Sequence, residues 1–474
     1  EEYVRSQDFE VIGLGIKLDN NPTEWASGTH KQVKEYLHTF PWESSMVLAH
    51  NTMFDGAILN WQFGIKPKAY TDTLCISRAV NGVEVSSSLD ALAKRYDVGI
   101  KGKEVLNTIG KRREEFTEEE LSKFGDYCVN DVELTHKVFL KMATDFPKKE
   151  LKLIDLSLRM FIEPMLDLDL IWLENHLTET RNRKEKLLLN AGCSKEDLMS
   201  NPKFAELLKG LGVKPPTKIS ATTGQETLAF SKSDEGFKAL ETHPDERVQN
   251  LVSARLGNKS TLEETRTQRF IDIAKRGLLP VPIRYYSAHT GRWGGDDKIN
   301  LQNLPSRGVD GNKLKSCILP PPHHTLIDAD SSQIEARVLA WLAEQNDLTD
   351  AFTKGEDVYK KMASVIYGVA EQDVTKDQRF VGKTTILGAG YGMGALKFQN
   401  QLQTFGFDMD IHEARRVIRI YRESNYKINE LWRDAQQFLK SGASAPFGKR
   451  GVLNFKGLDI ILPSGLSIRY DDLR

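Results

Sequence analysis

The sequence predicts a multidomain chain of α/β plus α+β class, and three observations carry that prediction. A chain of 474 residues is too long for one hydrophobic core, so about two to four domains are expected. Residues 1–148 alternate short apolar runs with amphipathic stretches, the pattern of an α/β domain. Beyond them, residues 280–330 are rich in β and turn signals, and residues 345–440 are strongly helical.

The elements follow in order. Residues 11–16 and 46–49 read as buried strands, and residues 89–96 and 118–139 as helices. A helical pattern over residues 148–166 leads out of this domain. Residues 170–265 are polar and mostly helical, broken at Pro215 and Pro216 and around Gly224. Residues 325–330 alternate as a half-buried strand, and residues 332–342 continue as a helix whose packed stripe is Ile334, Val338 and Leu342. No internal repeat or low-complexity tract interrupts the chain.

Composition excludes some functions. No apolar run approaches the roughly 18 to 20 residues of a membrane helix, so no membrane partner is expected. A net charge of −1 argues against a binder that uses its whole surface to hold nucleic acid. Local basic patches must then do that work. Arg255, Lys259, Arg266, Arg269, Lys275, Arg276, Arg284 and Arg292 form such a cluster in sequence. Cys75, Cys128, Cys193 and Cys317 stand far apart with no CxxC pair, which fits a reducing compartment and no zinc site. The chain begins at Glu1 rather than Met and stops near the strand-like residues 465–470, so both ends read as internal to a longer protein.

Two stretches carry the main chemistry. In Asp330-Ser-Ser-Gln-Ile-Glu-Ala-Arg337 a carboxylate at a strand end could reach a divalent ion, with Glu335 and Arg337 on the first turns of the following helix. Arg379, Lys383, Leu387 and Tyr391 recur every fourth residue, drifting about 40° per step, and therefore share one helix face. Arg holds phosphate bidentately and Lys adds a point charge, so this face suits a triphosphate beside a base pair. Gly388, Gly390 and Gly392 interrupt what would otherwise be a solvated basic helix. Gly382-Lys-Thr-Thr385 is not a P-loop, because Asp377 stands where that loop needs its first Gly. Upstream, Arg292 and the amides Asn300, Gln302 and Asn303 lie in turn-rich surroundings and offer donors suited to minor-groove acceptors.

These stretches resemble the family A DNA polymerases, the bacterial DNA polymerase I and phage replicase group, strongly over residues 250–440. The resemblance implies that Asp330 ligands two catalytic metals, with the Ser331 carbonyl helping. Glu335 and Gln333 would lie with the incoming nucleotide, Glu335 excluding a 2′-hydroxyl. Arg379 would hold the outer phosphates, Lys383 would neutralise the leaving pyrophosphate, and Tyr391 would sit beside the templating position. Arg255 and Lys259 would belong to a thumb helix gripping DNA. Position 387 departs from the family: Leu stands where Phe or Tyr is usual. The implied cofactors are two Mg²⁺ per active site, with Mn²⁺ as a substitute. The implied ligands are primer–template DNA and dNTPs, with a helicase, primase or processivity factor as working partners in a bacterial or phage-infected cytoplasm.

In the first domain, Asn51-Thr-Met-Phe-Asp55 follows an apolar strand, and Tyr127 and Asp131 share one helix face. Together they resemble the DEDD class of 3′–5′ proofreading exonucleases, Tyr subtype. By that resemblance Asp55 and Asp131 bind metal and Tyr127 orients the attacking water, while Asp72 and residues 88–92 are structural. Asp8-Phe9-Glu10 matches the class's first Asp-x-Glu pair in letters, but it runs into what reads as the second strand. The true pair is expected before residue 1.

The architecture so implied is an RNase H-like exonuclease domain over residues 1–148, then a right-hand polymerase. That would comprise a linker helix and thumb (149–270), the first part of the palm (271–345), fingers (346–430) and a returning palm segment (431–474). The triplet His-Asp-Glu, the palm's second carboxylate cluster, does not occur after Arg379. The alternative is an exonuclease whose polymerase-like half only holds DNA, or a non-enzymatic primer–template binder.

Overall fold

The computed structural model describes residues 1–102, 110–220, 224–232, 234–305 and 312–470. Its first domain is organised by two strand pairs. Gly13–Ile16 runs antiparallel to Glu24–Ser27, and Met46–Ala49 runs parallel to Ala69–Asp72. Parallel pairing needs a crossover, which the helix Thr52–Phe63 supplies. Both strands of the parallel pair therefore end on the same edge, where Asn51 and Asp72 meet. The 26-residue helix Glu118–Ala143 starts at a capping box of Thr117 and Glu120 and packs mainly on Gly13–Ile16 and Glu24–Ser27, also touching Met46–Ala49. Gly15 allows that approach, since a Cβ there would meet Val132 at 3.2 Å and the Cys128 carbonyl oxygen at 3.3 Å.

The main core of this domain runs past the expected boundary at residue 148. The helix Lys148–Ile162 buries Ile154, Leu158, Phe161 and Ile162 in it, and Tyr285, Tyr286 and Leu466 join from the later part of the chain. The Tyr285 hydroxyl donates to Glu150 at 2.6 Å, which fixes the two halves together.

Long helices Leu170–Ala191, Glu246–Lys259 and Leu262–Arg276 pack side by side. A separate core lies among residues 198–254, and a short strand pair, Thr217–Ile219 with Glu226–Leu228, follows the break read at Pro215 and Pro216 and brackets the one at Gly224. A fourth unit is all helix, with a core spanning Ala336 to Ile428. The chain then turns into a four-stranded antiparallel meander from Ala445 to Arg469.

Three expectations differ from the structure. Residues 325–330 form no strand: they are extended and exposed, with Leu326 at 52% and Ile327 at 84%. A strand needs a partner for its backbone groups, and none of the described residues pairs with this one. The packed stripe of helix Ile334–Leu342 is not Ile334 and Val338, each 49% exposed, but Ala336 and Ala340. Small residues let this helix approach the all-helical core closely, with Leu339 packed beside them, while Ile334 and Val338 face outward. Thirdly, among the described residues the β-rich reading of residues 280–330 is reduced to two two-residue strand pairs, Ile283–Arg284 with Gly294–Gly295 and Ile318–Leu319 with Asp167–Leu168, and a bridge between Asp296 and Ile299. All four cysteines are free.

Candidate active sites

The helix Lys376–Gly390 begins at a second capping box, Thr375 with Gln378. It buries Val381, Thr385, Ile386 and Ala389, so Arg379, Lys383 and Leu387 are left on the partly exposed face and Tyr391, just past its end, is 63% exposed. Gly382 makes the burial possible. A Cβ there would run into the Tyr359 carbonyl oxygen, and it would stand 3.0 Å from the Ala363 backbone nitrogen. The glycine therefore belongs to close helix packing and not to phosphate binding. Of the three later glycines, only Gly392 adopts a left-handed conformation, with φ of 72°.

Arg379 donates through Nε to Asp357 at 2.7 Å, and its guanidinium lies 5.4 Å from the Tyr359 ring centre. Asp357 also accepts from the backbone nitrogens of Tyr359 and Lys360, capping helix Val358–Tyr367. An Asp before an apolar run could be read as a cap from sequence. Its pairing with a cation 22 residues on could not.

The structure brings three expected site residues together. Arg292 donates to Glu335 at 2.6 Å and to the Tyr391 hydroxyl at 3.4 Å. Tyr391's phenol is raised by lost hydration and by its hydrogen bond to Glu335, with Arg292 opposing. Arg292 reaches them from a tight turn in which Ser287 N donates to the Arg292 carbonyl at 2.7 Å. Asp330 and Ser331 are exposed in the unpaired segment, and Ile334 N donates to the Ser331 carbonyl at 3.3 Å. Gln333 has φ of 56° and opens the helix Ile334–Leu342. Gln302 and Asn303 are exposed on a short 3-10 turn, Leu301–Asn303, while the Asn300 side-chain oxygen is buried without a hydrogen-bond partner.

The expected DNA-gripping cluster is corrected by the structure. Arg255 is 2% exposed, bonds the Leu198 carbonyl and Asn201, and stacks on Phe204 at 4.3 Å and Phe230 at 5.0 Å. It is an internal strut, because its helix turns that face toward the core of residues 198–254. Arg269, Lys275, Arg276 and Arg284 are each paired with carboxylates. Lys259 remains exposed.

In the first domain, Asp72 accepts from the backbone nitrogens of Asn51 at 2.9 Å and Leu74 at 2.8 Å. It thus ties the two strand ends together, as a structural residue would. Asp55 lies on the first turn of helix Thr52–Phe63. Water reaches it, yet protein atoms crowd it; that loss of hydration, followed by the Asp72 charge, pushes its carboxyl up to about 7. Both Asp131 and Asp55 act on the thiol of Cys128, so the two carboxylates converge on one neighbourhood. Tyr127 and Asp131 are bridged by Lys101, whose ammonium bonds Asp131 and donates to the Tyr127 hydroxyl at 2.7 Å. The other Asp131 oxygen, Oδ1, is buried with no partner. Asp8 and Glu10 lie elsewhere, against Arg112 and the Arg113 backbone nitrogen.

Hard oxygen donors are what Mg²⁺ takes, and both sites offer them. The Asp131 oxygen left without a partner and the Asp55 carboxyl in the same neighbourhood are donors that a divalent ion could take. Among the described residues no group of three or more His, Cys, Asp or Glu is assembled.

The family model for DNA polymerase family A matches residues 171–454. The chain belongs to DNA polymerase family A. A second model, 3′–5′ exonuclease, matches residues 29–146 of the polymerase chain. DNA polymerase I of Rhizobium leguminosarum is 27% identical over 376 residues, covering 76% of this chain and 36% of that one. DNA polymerase I of Pseudomonas aeruginosa is 26% identical, covering 70% and 37%. This chain therefore spans little more than a third of the length of those relatives. A DNA polymerase of Bacillus phage SP02 is 23% identical, with 98% of this chain and 77% of that one covered. The POL domain of Pol1 from M. smegmatis, solved in complex with DNA primer–template and dNTP, shares the fold. Its TM-score is 0.63 at 19% identity, over 90% of this chain and 72% of that one. No helix among the described residues is long and apolar enough to cross a membrane.

Proposed function

We propose that this family A chain adds dNTPs to a primer 3′ end under template direction, and carries a 3′–5′ proofreading exonuclease in its first domain. One observation supports the reading above the others. The Arg379, Lys383 and Leu387 face ends at Tyr391, and Tyr391 meets Glu335 and Arg292 from two other segments. A nucleotide bound along the helix would have its phosphates at Arg379 and Lys383. Its sugar would lie against Leu387 and Glu335, and its base would be next to Tyr391.

Each residue then has a task. Arg379 exchanges Asp357 for the outer phosphates, a trade between two anions of similar geometry. Lys383 balances the charge that builds on the departing pyrophosphate. Glu335, held by Arg292, leaves no room for a 2′-hydroxyl. Asp330 and the Ser331 carbonyl would hold two Mg²⁺, and Asp55 with Asp131 would hold them in the exonuclease. When bound, these ions supply Lewis acidity toward the attacking oxygen and the leaving group. Arg292, Gln302 and Asn303 contact primer–template DNA in the minor groove. The setting is a bacterial or phage-infected cytoplasm.

Primer extension with dNTPs and Mg²⁺, run beside Asp330→Ala, tests this reading. Extension by the native chain and its loss in the variant are expected; continued synthesis by the variant refutes the assignment of Asp330. The rival, an exonuclease with a DNA-holding platform, draws on the open Asp330 segment. It is favoured if the native chain trims single-stranded 3′ ends but extends nothing. Leu387→Phe is expected to change nucleotide selectivity or speed in single-turnover kinetics, and identical traces would remove Leu387 from the sugar contact.

A further inference from the structure

Lys101 stands in the loop after helix Leu89–Arg95, where no motif singles it out. The loop is tied to the long helix Glu118–Ala143 by Asn130, whose side-chain nitrogen donates to the Ile100 carbonyl at 3.0 Å. From there the Lys101 side chain, 24% exposed, bonds Asp131, donates to Tyr127 and lies 4.6 Å from the centre of the Tyr127 ring. Burial works against its charge, but the bonds to Asp131 and Tyr127 outweigh that and hold the ammonium above its ordinary range.

We infer that Lys101 is a tethered monocation seated on Asp131, which competes with a divalent ion for that carboxylate and holds the Tyr127 hydroxyl beside it. The inference rests on the exonuclease reading of Asp131 and Tyr127. Its physical ground is the geometry of the pair. Lysine brings one charge to one carboxylate oxygen and leaves Oδ1 orphaned, whereas a divalent ion can engage both oxygens. A cation fixed by its own backbone offsets the charge of Asp131 and holds the phenol of Tyr127 beside that carboxylate. Displaced from Asp131, the ammonium would stay tethered there by the Asn130 bond to its loop.

The test is Mn²⁺ binding followed by electron paramagnetic resonance on the whole chain, in an Asp330→Ala background that silences the polymerase site. Lys101→Met is expected to tighten Mn²⁺ binding about tenfold, the effect of removing one competing charge interaction of roughly 1.4 kcal/mol. Lys101→Arg, which keeps a cation there, should bind as the Asp330→Ala parent does. In Lys101→Met combined with Asp131→Asn the gain should vanish. Unchanged or weaker binding in Lys101→Met, or a gain that survives loss of Asp131, overturns the inference. Should Lys101→Met fold poorly by circular dichroism, Lys101→Gln carries the same expectation. Hydrolysis of single-stranded 3′ ends, measured in parallel with Asp55→Ala, reports separately on the exonuclease reading. Hydrolysis that survives Asp55→Ala sinks that reading while leaving the Mn²⁺ result to stand or fall by itself.

Discussion

Asp131 and Asp330 are the two carboxylates proposed to hold metal, and the chain treats them oppositely. Asp131 sits on a 26-residue helix, is ion-paired to Lys101 and lies in the neighbourhood of Asp55. Asp330 sits on an exposed, unpaired segment. The difference teaches that a site is fixed by closure of the structure beneath it. The parallel pair Met46–Ala49 and Ala69–Asp72 has its partner within a short crossover, whereas the segment leading to Asp330 has none among the described residues.

The largest effect that could break this comparison comes from Asp330→Ala. Primer extension should fall about 10³-fold or more, since a metal's charge stabilisation is worth several kcal/mol. Trimming of single-stranded 3′ ends should not change, and a parallel loss of both would mean that the two sites are not separate.

Arg255→Ala tests whether a cation in this protein can be purely architectural. Removing it leaves the Leu198 carbonyl and Asn201 without their donor and two aromatic rings without their neighbour. Urea unfolding should register a loss of about 2–4 kcal/mol. Lys259→Ala should instead leave stability within about 0.5 kcal/mol and reduce the salt dependence of DNA binding by about one ion. Reversed outcomes would return Arg255 to the DNA surface.

Gly382→Ala pushes a methyl group toward the Tyr359 carbonyl, so overpacking should cost about 1–3 kcal/mol. A lowered melting temperature with a raised KM for dNTP is expected, because the helix carrying Arg379 and Lys383 must shift. Unchanged melting would show that the two helices can part without penalty.

The smallest effect is a pH dependence. Asp55 is raised to about 7 when folded, against 3.8 for an ordinary Asp side chain. Below about pH 4 both states are protonated, and stability is unaffected. Between there and pH 7 the unfolded chain ionises first, so the folded state progressively loses stability, and the loss is complete above pH 7. In chelator, Asp55→Asn should therefore raise the melting temperature more at pH 8 than at pH 5. A difference independent of pH would show that the carboxyl titrates normally.

Much of the polymerase face was legible because it depends on one helix. Arg379, Lys383, Leu387 and Tyr391 follow from 3.6 residues per turn, and the structure leaves all four off the buried side. That Asp72 is structural was expected from the family resemblance, but its pairing with the Asn51 and Leu74 nitrogens was not legible. Lys101 and Asp357 were not legible, because each meets its partner across 30 and 22 residues. Arg255 was misread for a related reason: a cation in a basic run looks solvated until its helix is docked.

The sequence by itself therefore determined most of the long helices, the shared face of Arg379, Lys383 and Leu387, and the family, since these rest on local periodicity and short motifs. Tertiary structure decided which face of each helix is buried, that alanines rather than Ile334 and Val338 pack inward, and that Arg292, Glu335 and Tyr391 meet. Those outcomes depend on what each surface finds to pack against, and neither a packing partner nor a strand partner is written in the segment that needs it.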